Sequence, residues 1–219
     1  MQIIGKMPVK RQTLLFSATY PEGIKKISDK VQHDPVDVRV EASHDIPEID
    51  QIFFSVEKNE RFEALYKVIA NFQPESTLVF CNTKQQCRQL ANELQEYDLH
   101  ALALHGDLEQ FERDQVLTQF ASKGCSILIA TDVAARGLDV KGLAAVINFE
   151  LSYDPEIHIH RIGRTGRAGA KGLAVSLFAS SEQRQLEAIE KYQNTAANIV
   201  DMATLVEPLN FKLYPPMAI

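Results

Sequence analysis

Three arginines and three glycines alternate at a spacing of three in the segment HRIGRTGRAG, residues 160–169. The arginines are Arg161, Arg164 and Arg167, and the glycines between them are poor helix residues. A guanidinium is always charged and presents a planar fork of donors that matches phosphate oxygens. The segment therefore predicts a phosphate contact, with pairing to surface carboxylates as the alternative for any single arginine.

The glycine spacing does not indicate a dinucleotide-binding loop, because such a loop follows a strand and opens a helix. Here the order is reversed. Asp154 as N-cap and Pro155 at the first position predict a helix that ends near Gly163 or Arg164, and the apolar run GLAVSLF then predicts a strand. The glycines are more simply explained as positions where the chain turns and lies close to a neighbour.

The elements that must position this segment begin near Ile49. The apolar runs IDQIFFSV, STLVFCN, HALALHG, SILIATD, AAVINFE and GLAVSLF predict strands, and the stretches between them, such as RFEALYKVIANF, carry apolar residues at helical spacing. The pairs Thr83 with Gln86 and Asp107 with Gln110 predict helix N-termini. Strands that alternate with helices predict an α/β fold, a parallel sheet with helices on both faces.

The chain before this alternation has a different pattern. The apolar run QTLLFSA, residues 12–18, predicts a buried strand, and Pro21 predicts the start of a helix. The polar, proline-containing segment SHDIPE, residues 43–48, predicts a linker. We therefore expect the main domain to begin at about residue 45.

Polar residues follow several of the predicted strands at the point where each ends. Asn82 and Thr83 follow one strand, His105 and Gly106 a second, and Thr131 with Asp132 a third. The carboxyl ends of parallel strands meet at one edge of a sheet, where ligands bind, and helix N-termini there attract phosphate. The sequence predicts a phosphate-binding edge.

The segment TDVAARGLD adds a candidate ribose contact. Asp132 is predicted to cap a short helix, and Gly137 is predicted to end it in a left-handed turn. Asp139 would then be held by a tight backbone, where its carboxylate could accept hydrogen bonds from two hydroxyls. The alternative is that Asp139 only terminates the turn.

Composition limits the classes of function that remain. The 219 residues carry a net charge of −6, so any contact with a polyanion must be local rather than a bulk attraction. The three cysteines, Cys81, Cys87 and Cys125, are an odd number without a CxxC pair and predict reduced core thiols in a cytoplasmic protein. The spacing from Cys81 to Arg88 does not fit a phosphatase loop, because Cys87 stands at the sixth position and no glycine intervenes. No apolar run is long enough to span a membrane.

Five ordered segments resemble the motifs of the DEAD-box RNA helicases: SAT at 17–19, LVFCNTK at 78–84, HGDLEQFER at 105–113, ATDVAARGLD at 130–139 and HRIGRTGRAG at 160–169. The wording is most similar to the bacterial DbpA type, which acts in large-subunit ribosome assembly. The resemblance implies the second of two RecA-like domains at residues 45–195. It also implies a remnant of the first domain with a linker at residues 1–44, and a tail or linker at residues 196–219.

The resemblance also implies parts that lie outside this chain. The P-loop, the adenine-reading Q motif and the DEAD sequence are not found in these residues, and a DbpA-type RNA-recognition domain would follow them. We therefore expect a piece of a longer RNA-stimulated ATPase, which is inactive alone. ATP with Mg would be bound mainly by the first RecA-like domain.

Roles carried over from the family follow the matching positions. Arg164 and Arg167 resemble arginine fingers for the γ-phosphate, and His160 resembles the histidine that couples the ATP state to RNA binding. Asp139 resembles the ribose contact, with Gly137 beside it. The positions that resemble RNA-backbone contacts are Asn82, Thr83, Gly106, Gln110, Arg113 and Thr131. Ser17 and Thr19 belong to the interdomain coupling motif, whereas Arg161 and Arg136 are expected to hold their own loops.

Two other functions remain open at this point. The chain could be a non-enzymatic RNA- or protein-binding module with the same fold, or half of a DNA-directed helicase of the same superfamily. The favoured prediction is a cytoplasmic helicase half that binds RNA, with ribosomal RNA as the expected target, and that has no membrane partner. An unpaired apolar strand in residues 1–40 could also produce artificial dimers.

Overall fold

The computed structural model describes residues 6–8, 10–16, 22–38, 49–136, 142–166 and 171–206, and the chain divides into two units, residues 1–44 and 45–219. In the first unit, helix α1 spans Glu22–Val31, as the sequence predicts after Pro21. The Gln32 side-chain amide, just past α1, donates a hydrogen bond to the Thr13 carbonyl at 3.0 Å. The helix end is therefore tied to the segment that precedes it.

The predicted strand at residues 12–18 is wrong over its described part. Residues 12–16 have no regular secondary structure, and Phe16 is 91% exposed. A strand is stabilised by hydrogen bonds to neighbouring strands, and all of the strands in the described residues lie in the second unit. The apolar composition of the run was therefore not sufficient for it to form a strand.

The second unit contains a parallel sheet of seven strands in the order β3-β4-β2-β5-β6-β1-β7. The strands are β1 (Ile49–Ser55), β2 (Thr77–Phe80), β3 (Ala101–Leu104), β4 (Ile127–Ala130), β5 (Ala145–Asn148), β6 (Gly172–Phe178) and β7 (Ile199–Val200). The helices are α2 (Arg61–Phe72), α3 (Lys84–Glu96), α4 (Gln110–Ala121), α5 (Asp132–Ala135), α6 (Pro155–Ile162) and α7 (Gln183–Gln193).

Residues of one strand alternate between the two faces of the sheet, and helices cover both faces. Val79 of β2 packs in a cluster that includes Leu65 of α2 and Leu94 of α3. Its neighbours Leu78 and Phe80 belong to a separate cluster with residues of α4 and α5. This alternation follows from the period of two in a strand. The predicted α/β fold is therefore confirmed.

The helix N-caps agree with the prediction at Thr83 and Asp154 and differ from it at Asp107 and Asp132. The Thr83 hydroxyl accepts a hydrogen bond from the Gln86 backbone at 3.2 Å, but the Gln86 Oε1 atom has no reciprocal partner. The predicted cap at Asp107 is wrong, because α4 begins at Gln110 and its N-cap is Glu109, whose backbone donates to Glu112 at 2.9 Å. Both acidic residues were compatible with a cap in the sequence.

The other difference concerns α5. The sequence predicts Asp132 as its cap, whereas Thr131 is the N-cap and accepts a hydrogen bond from the Ala134 backbone at 3.4 Å. Asp132 is instead the first residue of the helix. Its carboxylate does not cap the helix and instead accepts hydrogen bonds from Arg161.

The sheet continues past the boundary expected at residue 195. Strand β7 pairs with β1, where Phe53 is opposite Ile199. The chain is then held by Asn71 of α2, whose side chain donates to the Val206 carbonyl and accepts from the Val206 backbone, both at 2.9 Å. Residues up to Val206 therefore belong to the folded domain. None of the helices in the described residues is both long and apolar enough to cross a membrane.

Candidate functional site

A buried guanidinium lies at the centre of the candidate site, at the carboxyl ends of β4, β2 and β5. Arg161 of α6 is 1% exposed and donates to both carboxylate oxygens of Asp132, at 2.7 and 2.8 Å. It also donates to Asn82 Oδ1 at 2.9 Å, to Asn148 Oδ1 at 3.2 Å and to the Glu150 carbonyl at 3.0 Å. One side chain of α6 thus joins the ends of three adjacent strands.

The position of Arg161 has an energetic consequence. Its guanidinium is buried with these polar partners and lies 5.1 Å from the centre of the Phe80 ring. A buried charge is tolerated when its donors are satisfied, and removing one member of such a pair is strongly destabilising. The sequence analysis assigned Arg161 to its own loop, whereas the structure shows that it fixes α6 against loops that are distant in the sequence.

A second buried guanidinium supports the loop between β5 and α6. Arg61 at the start of α2 is 3% exposed and contacts Glu150 at 3.1 Å and Glu182. The Glu182 carboxylate also accepts hydrogen bonds from the backbones of Leu151, at 3.3 Å, and Ala179, at 2.8 Å. Because Glu150 contacts Arg61 by its side chain and Arg161 by its carbonyl, the two buried arginines stabilise the same loop.

Helix α6 carries a second buried polar residue, which the sequence analysis did not identify. His158 is fully buried and stacks on Phe53 of β1, with the ring centres 5.9 Å apart. Neither of its ring nitrogens has a hydrogen-bond partner among the described residues. Burial first, and then the charge of Arg161, lower the pKa of His158 to about 4, so it is neutral at physiological pH. His160, the predicted coupling residue, is exposed two positions later.

The predicted break in α6 is confirmed. The helix ends at Ile162, Gly163 is the C-cap, and the Arg164 backbone donates to the Arg161 carbonyl at 3.1 Å. The next residue, Thr165, is buried and its hydroxyl donates to the Leu143 carbonyl at 2.6 Å. The half-buried Arg164 therefore lies between a helix end and an anchored residue.

Glycines hold the chain close to this anchor. Gly166 has a φ of +66°, in the left-handed region that glycine adopts readily. At Gly172, a Cβ atom would lie 2.4 Å from the Gly166 nitrogen and 2.7 Å from the Thr165 hydroxyl. These two glycines are therefore required by the backbone path and by close packing.

Three predicted RNA contacts use their side chains inside the domain. Asn82 accepts from Arg161 and donates to the Leu151 carbonyl at 3.2 Å. The hydroxyls of Thr83 and Thr131 cap α3 and α5. These three residues thus lie at the predicted edge, and their polar groups hold its loops.

The other three predicted RNA contacts lie at the start of α4. Gly106 is exposed, and a Cβ atom added there would meet nothing within 4 Å. Gln110 is exposed and donates to Asp114 at 2.8 Å. Arg113 is partly buried and donates to the Ala134 carbonyl, which links α4 to α5. The predictions for Ser17, Thr19, Gly137, Asp139 and Arg167 lie outside the described residues.

The predicted cysteine chemistry agrees with the structure. Cys81, Cys87 and Cys125 are all buried and unpaired. A hydrogen bond with Cys87 and burial raise the pKa of Cys81 well above its ordinary value, so this thiol is unsuited to act as a nucleophile. Within the described ranges, no group of three or more His, Cys, Asp or Glu side chains could hold a metal ion.

Comparisons with known proteins identify the family to which this chain is similar. Residues 60–169 match the family described as helicase conserved C-terminal domain. The chain is 48% identical over 187 residues to the ATP-dependent RNA helicase DbpA of Escherichia coli, which covers 85% of this chain and 41% of that protein. It is 40% identical over 208 residues to the DEAD-box ATP-dependent RNA helicase CshA of Geobacillus kaustophilus, covering 94% and 44%.

Solved structures give the same result. The chain is similar to Saccharomyces cerevisiae Dbp5 bound to RNA and ADP BeF3, with a TM-score of 0.81 and 28% identity over 92% of this chain and 54% of that one. It is also similar to the C-terminal domain of the DEAD-box protein Dbp5, with a TM-score of 0.67 and 31% identity over 73% and 93% of the two chains. The chain spans about 40% of the length of the curated relatives it matches.

Proposed function

Because the chain belongs to the DEAD-box RNA helicases, as their C-terminal RecA-like domain, we propose that it forms half of an ATP-dependent RNA helicase. The other half would be the first RecA-like domain of the same protein, with ATP and RNA bound between the two. The proposal includes the unwinding of short RNA duplexes, ribosomal RNA as the target and a role in ribosome assembly. A cytoplasmic location belongs to it as well.

The observation that carries the proposal is the network around Arg161. This single guanidinium connects α6, which precedes Arg164, to the loops that begin with Asn82 and Asp132. A phosphate-binding arginine is effective only when its backbone is positioned in advance. The network therefore supports a role in which the end of α6 and the RNA-facing loops move as one rigid edge.

Within this proposal, Arg164 and Arg167 stabilise negative charge that develops on the transferred phosphoryl group. His160, which is exposed on α6, contacts the first domain, and Asp139 with Gly137 contacts the ribose. Ser17 and Thr19 couple the two domains. The RNA-backbone contacts are Asn82, Thr83, Gly106, Gln110, Arg113 and Thr131. Since such contacts involve phosphate and sugar, they would carry no sequence specificity.

The Mg²⁺ ion that accompanies ATP would be held by residues of the first domain. In the part of this chain that the structure describes, no cluster of acidic residues fits a metal ion, so we assign it no ligand here. ATP supplies the phosphoryl group, and this chain contributes fixed positive charge to it. The chain alone should therefore show no RNA-stimulated ATP hydrolysis.

Replacing Arg164 with alanine in the complete two-domain protein tests the proposal. Loss of an arginine finger lowers kcat by about 10³-fold or more in related NTPases. We expect a loss of this size in single-turnover ATP hydrolysis, with RNA affinity largely retained. The matched control is Arg184→Ala on the exposed surface of α7, which should hydrolyse ATP normally.

Two results would refute parts of this proposal. Near-normal single-turnover hydrolysis by Arg164→Ala would remove the finger assignment, and RNA-stimulated turnover by this chain alone would contradict the division of labour between the domains. The dimer proposed through residues 1–40 is a separate point. Light scattering with and without these residues tests it, and the same monomer mass in both samples would exclude the dimer.

A further inference from the structure

A buried ion pair holds the loop between β5 and α6. Arg61, the first residue of α2, is 3% exposed, and its guanidinium contacts Glu182 and lies 3.1 Å from Glu150. The Glu182 carboxylate accepts the backbone N–H groups of Leu151, at 3.3 Å, and Ala179, at 2.8 Å. The start of α2 and the segment before α7 are therefore joined to the first residues of this loop. We call Arg61 and Glu182 the loop pair.

Stability alone does not account for the loop pair. A buried pair of opposite charges is often no more stabilising than apolar side chains of similar volume, because both ions lose their hydration. Burial lowers the pKa of Arg61 against the opposing charge of Glu150, and the Arg61 Nε atom has no hydrogen-bond partner among the described residues. Charged hydrogen bonds are directional, however, and the loop pair directs them to a carboxylate and to backbone groups. It can therefore fix the geometry of the loop.

The geometry of this loop sets the direction of α6, which is followed by Gly163 and Arg164. The Ser152 hydroxyl donates to the Asp154 carbonyl at 2.7 Å, and the Asp154 side chain caps α6 by accepting from the Glu156 backbone at 2.9 Å. The helix has eight residues, so it is about 12 Å long. A tilt of about 5° at its start would move its far end by about 1 Å. A displacement of this size can slow a catalysed step by about 100-fold.

Helix α6 is held from two sides, and the two sides differ in what they connect. Arg161 connects the helix to Asn82 and Asp132, at the predicted RNA edge. The loop pair connects it to the start of α2 and to the segment before α7, where the sequence predicts no RNA contact. Without the loop pair, Asn82 would keep its hydrogen bond from Arg161. Loss of the loop pair should therefore disturb the position of Arg164 more than it disturbs the RNA edge.

We infer that Arg61 and Glu182 are positioning residues for the phosphate contact of Arg164. The inference rests on the proposed function, because it gives the loop pair the task of orienting the helix that leads to this arginine. Both residues are buried, so they act through the loop and α6 and not by contact with ATP or RNA. The expected signature is slower ATP hydrolysis at saturating ATP, with the affinity for RNA retained.

The double variant Arg61→Met/Glu182→Gln tests this signature in a folded protein. Removing one partner alone would leave a buried charge uncompensated, whereas the double variant removes both charges. Methionine adapts to the space of the arginine stem, and glutamine keeps an oxygen that can accept the Leu151 N–H group. Glu150 loses its ion pair, but its side chain is 24% exposed and can be hydrated. We expect the rate of ATP hydrolysis to fall by about 10- to 100-fold.

The experiment uses the complete two-domain protein and measures single-turnover ATP hydrolysis at saturating ATP and RNA. RNA affinity is measured by the fluorescence anisotropy of a labelled oligouridylate in the presence of a non-hydrolysable ATP analogue, and circular dichroism checks that each variant is folded. The matched control is Lys67→Met/Glu63→Gln, which removes an ion pair of 3.0 Å within α2 by the same types of substitution. The control should hydrolyse ATP at the parent rate.

The outcomes separate the positioning role from the proposed function. A rate loss of about 10-fold or more with parent-like RNA affinity supports the role, and the loop-pair variant should cause no further loss in an Arg164→Ala background. A parent-like rate, an equal loss of RNA affinity, or a full further loss in that background would overturn the role and leave the proposed function in place. Near-normal hydrolysis by Arg164→Ala alone would remove the finger assignment, and the positioning role would be overturned with it.

Discussion

Replacing His158 with leucine should remove much of the acid sensitivity of this domain. His158 is fully buried and stacks on Phe53, and in the part of the chain that the structure describes neither of its ring nitrogens has a hydrogen-bond partner. In the unfolded chain the imidazole takes up a proton near its ordinary pKa of 6.5, whereas in the native domain its pKa is about 4. The unfolded state therefore binds more protons in this range, and stability falls as the pH is lowered.

The size of the effect follows from these two pKa values. Between pH 7.5 and pH 5, the linkage relation gives a loss of about 2 kcal/mol in the free energy of unfolding from this residue. Well below pH 4 both states are protonated and the loss levels off at about 3 kcal/mol. Leucine is similar in size and has no polar atom to bury, so the variant should be at least as stable as the parent at pH 7.5.

The assay is urea unfolding of this chain at pH 7.5 and pH 5, followed by far-ultraviolet circular dichroism. The difference between the two pH values should be about 2 kcal/mol smaller in His158→Leu than in the parent. Other titrating groups, including His105, are present in both proteins and cancel in this comparison. The matched control is Ile189→Val in the apolar cluster that contains Phe53, the ring on which His158 stacks; it should lower stability by about 1 kcal/mol but retain His158.

A change in overall stability without a change in pH dependence would refute this reasoning. If His158→Leu and the parent lose the same free energy between pH 7.5 and pH 5, then the native domain accommodates a protonated His158. The burial and the missing partners would then not have the electrostatic cost that we derive from them. A pH dependence that is also reduced in Ile189→Val would equally contradict the assignment to His158.

Two further predictions concern the same edge of the sheet. Arg161→Met should lower the free energy of unfolding by about 3–5 kcal/mol, because it leaves a carboxylate and amide oxygens without their partner. Urea unfolding measures this, exposed Arg184→Met is the control, and a loss below about 1 kcal/mol would contradict the central role of Arg161. Gly106→Ala should retain or slightly raise stability but weaken RNA binding by the complete protein, whereas Gly172→Ala should destabilise the fold. Unchanged RNA affinity in Gly106→Ala would count against RNA at that position.

The strands and helices could be predicted from the sequence wherever apolar residues recurred at strand or helix spacing and a capping residue, proline or glycine marked the end of the element. Asp154, Pro155 and Gly163 fixed both ends of α6 in this way, and the structure confirms them. Strand β7 was missed because two residues, Ile199 and Val200, are too few to show a period. The run at residues 12–16 is not a strand for the opposite reason, since its composition suits a strand but no strand among the described residues pairs with it.

The sequence predicts where the candidate site lies, at one edge of the sheet, but not which side chains contact each other there. Polar residues at strand ends are visible in the sequence, because parallel strands place their carboxyl ends together. The contact between Arg161 and Asp132 joins residues that are 29 positions apart, and nothing in the local spacing indicates it. His158 was overlooked for the same reason, since its burial against Phe53 depends on the packing of α6 on β1.

The position of β1 in the sheet determines when this domain can complete its folding. Strand β1 is the first strand in the described part of the chain, yet it pairs along its full length with β6, and Ile49 is opposite Gly172, about 120 residues later. During synthesis, β1 cannot find this partner until β6 has left the ribosome. The nascent chain must therefore carry the apolar residues Phe53 and Phe54 unpaired while β2 to β5 are made. This order predicts a slow closure of the sheet that begins only after β6 has been made, and a need for protection until it occurs.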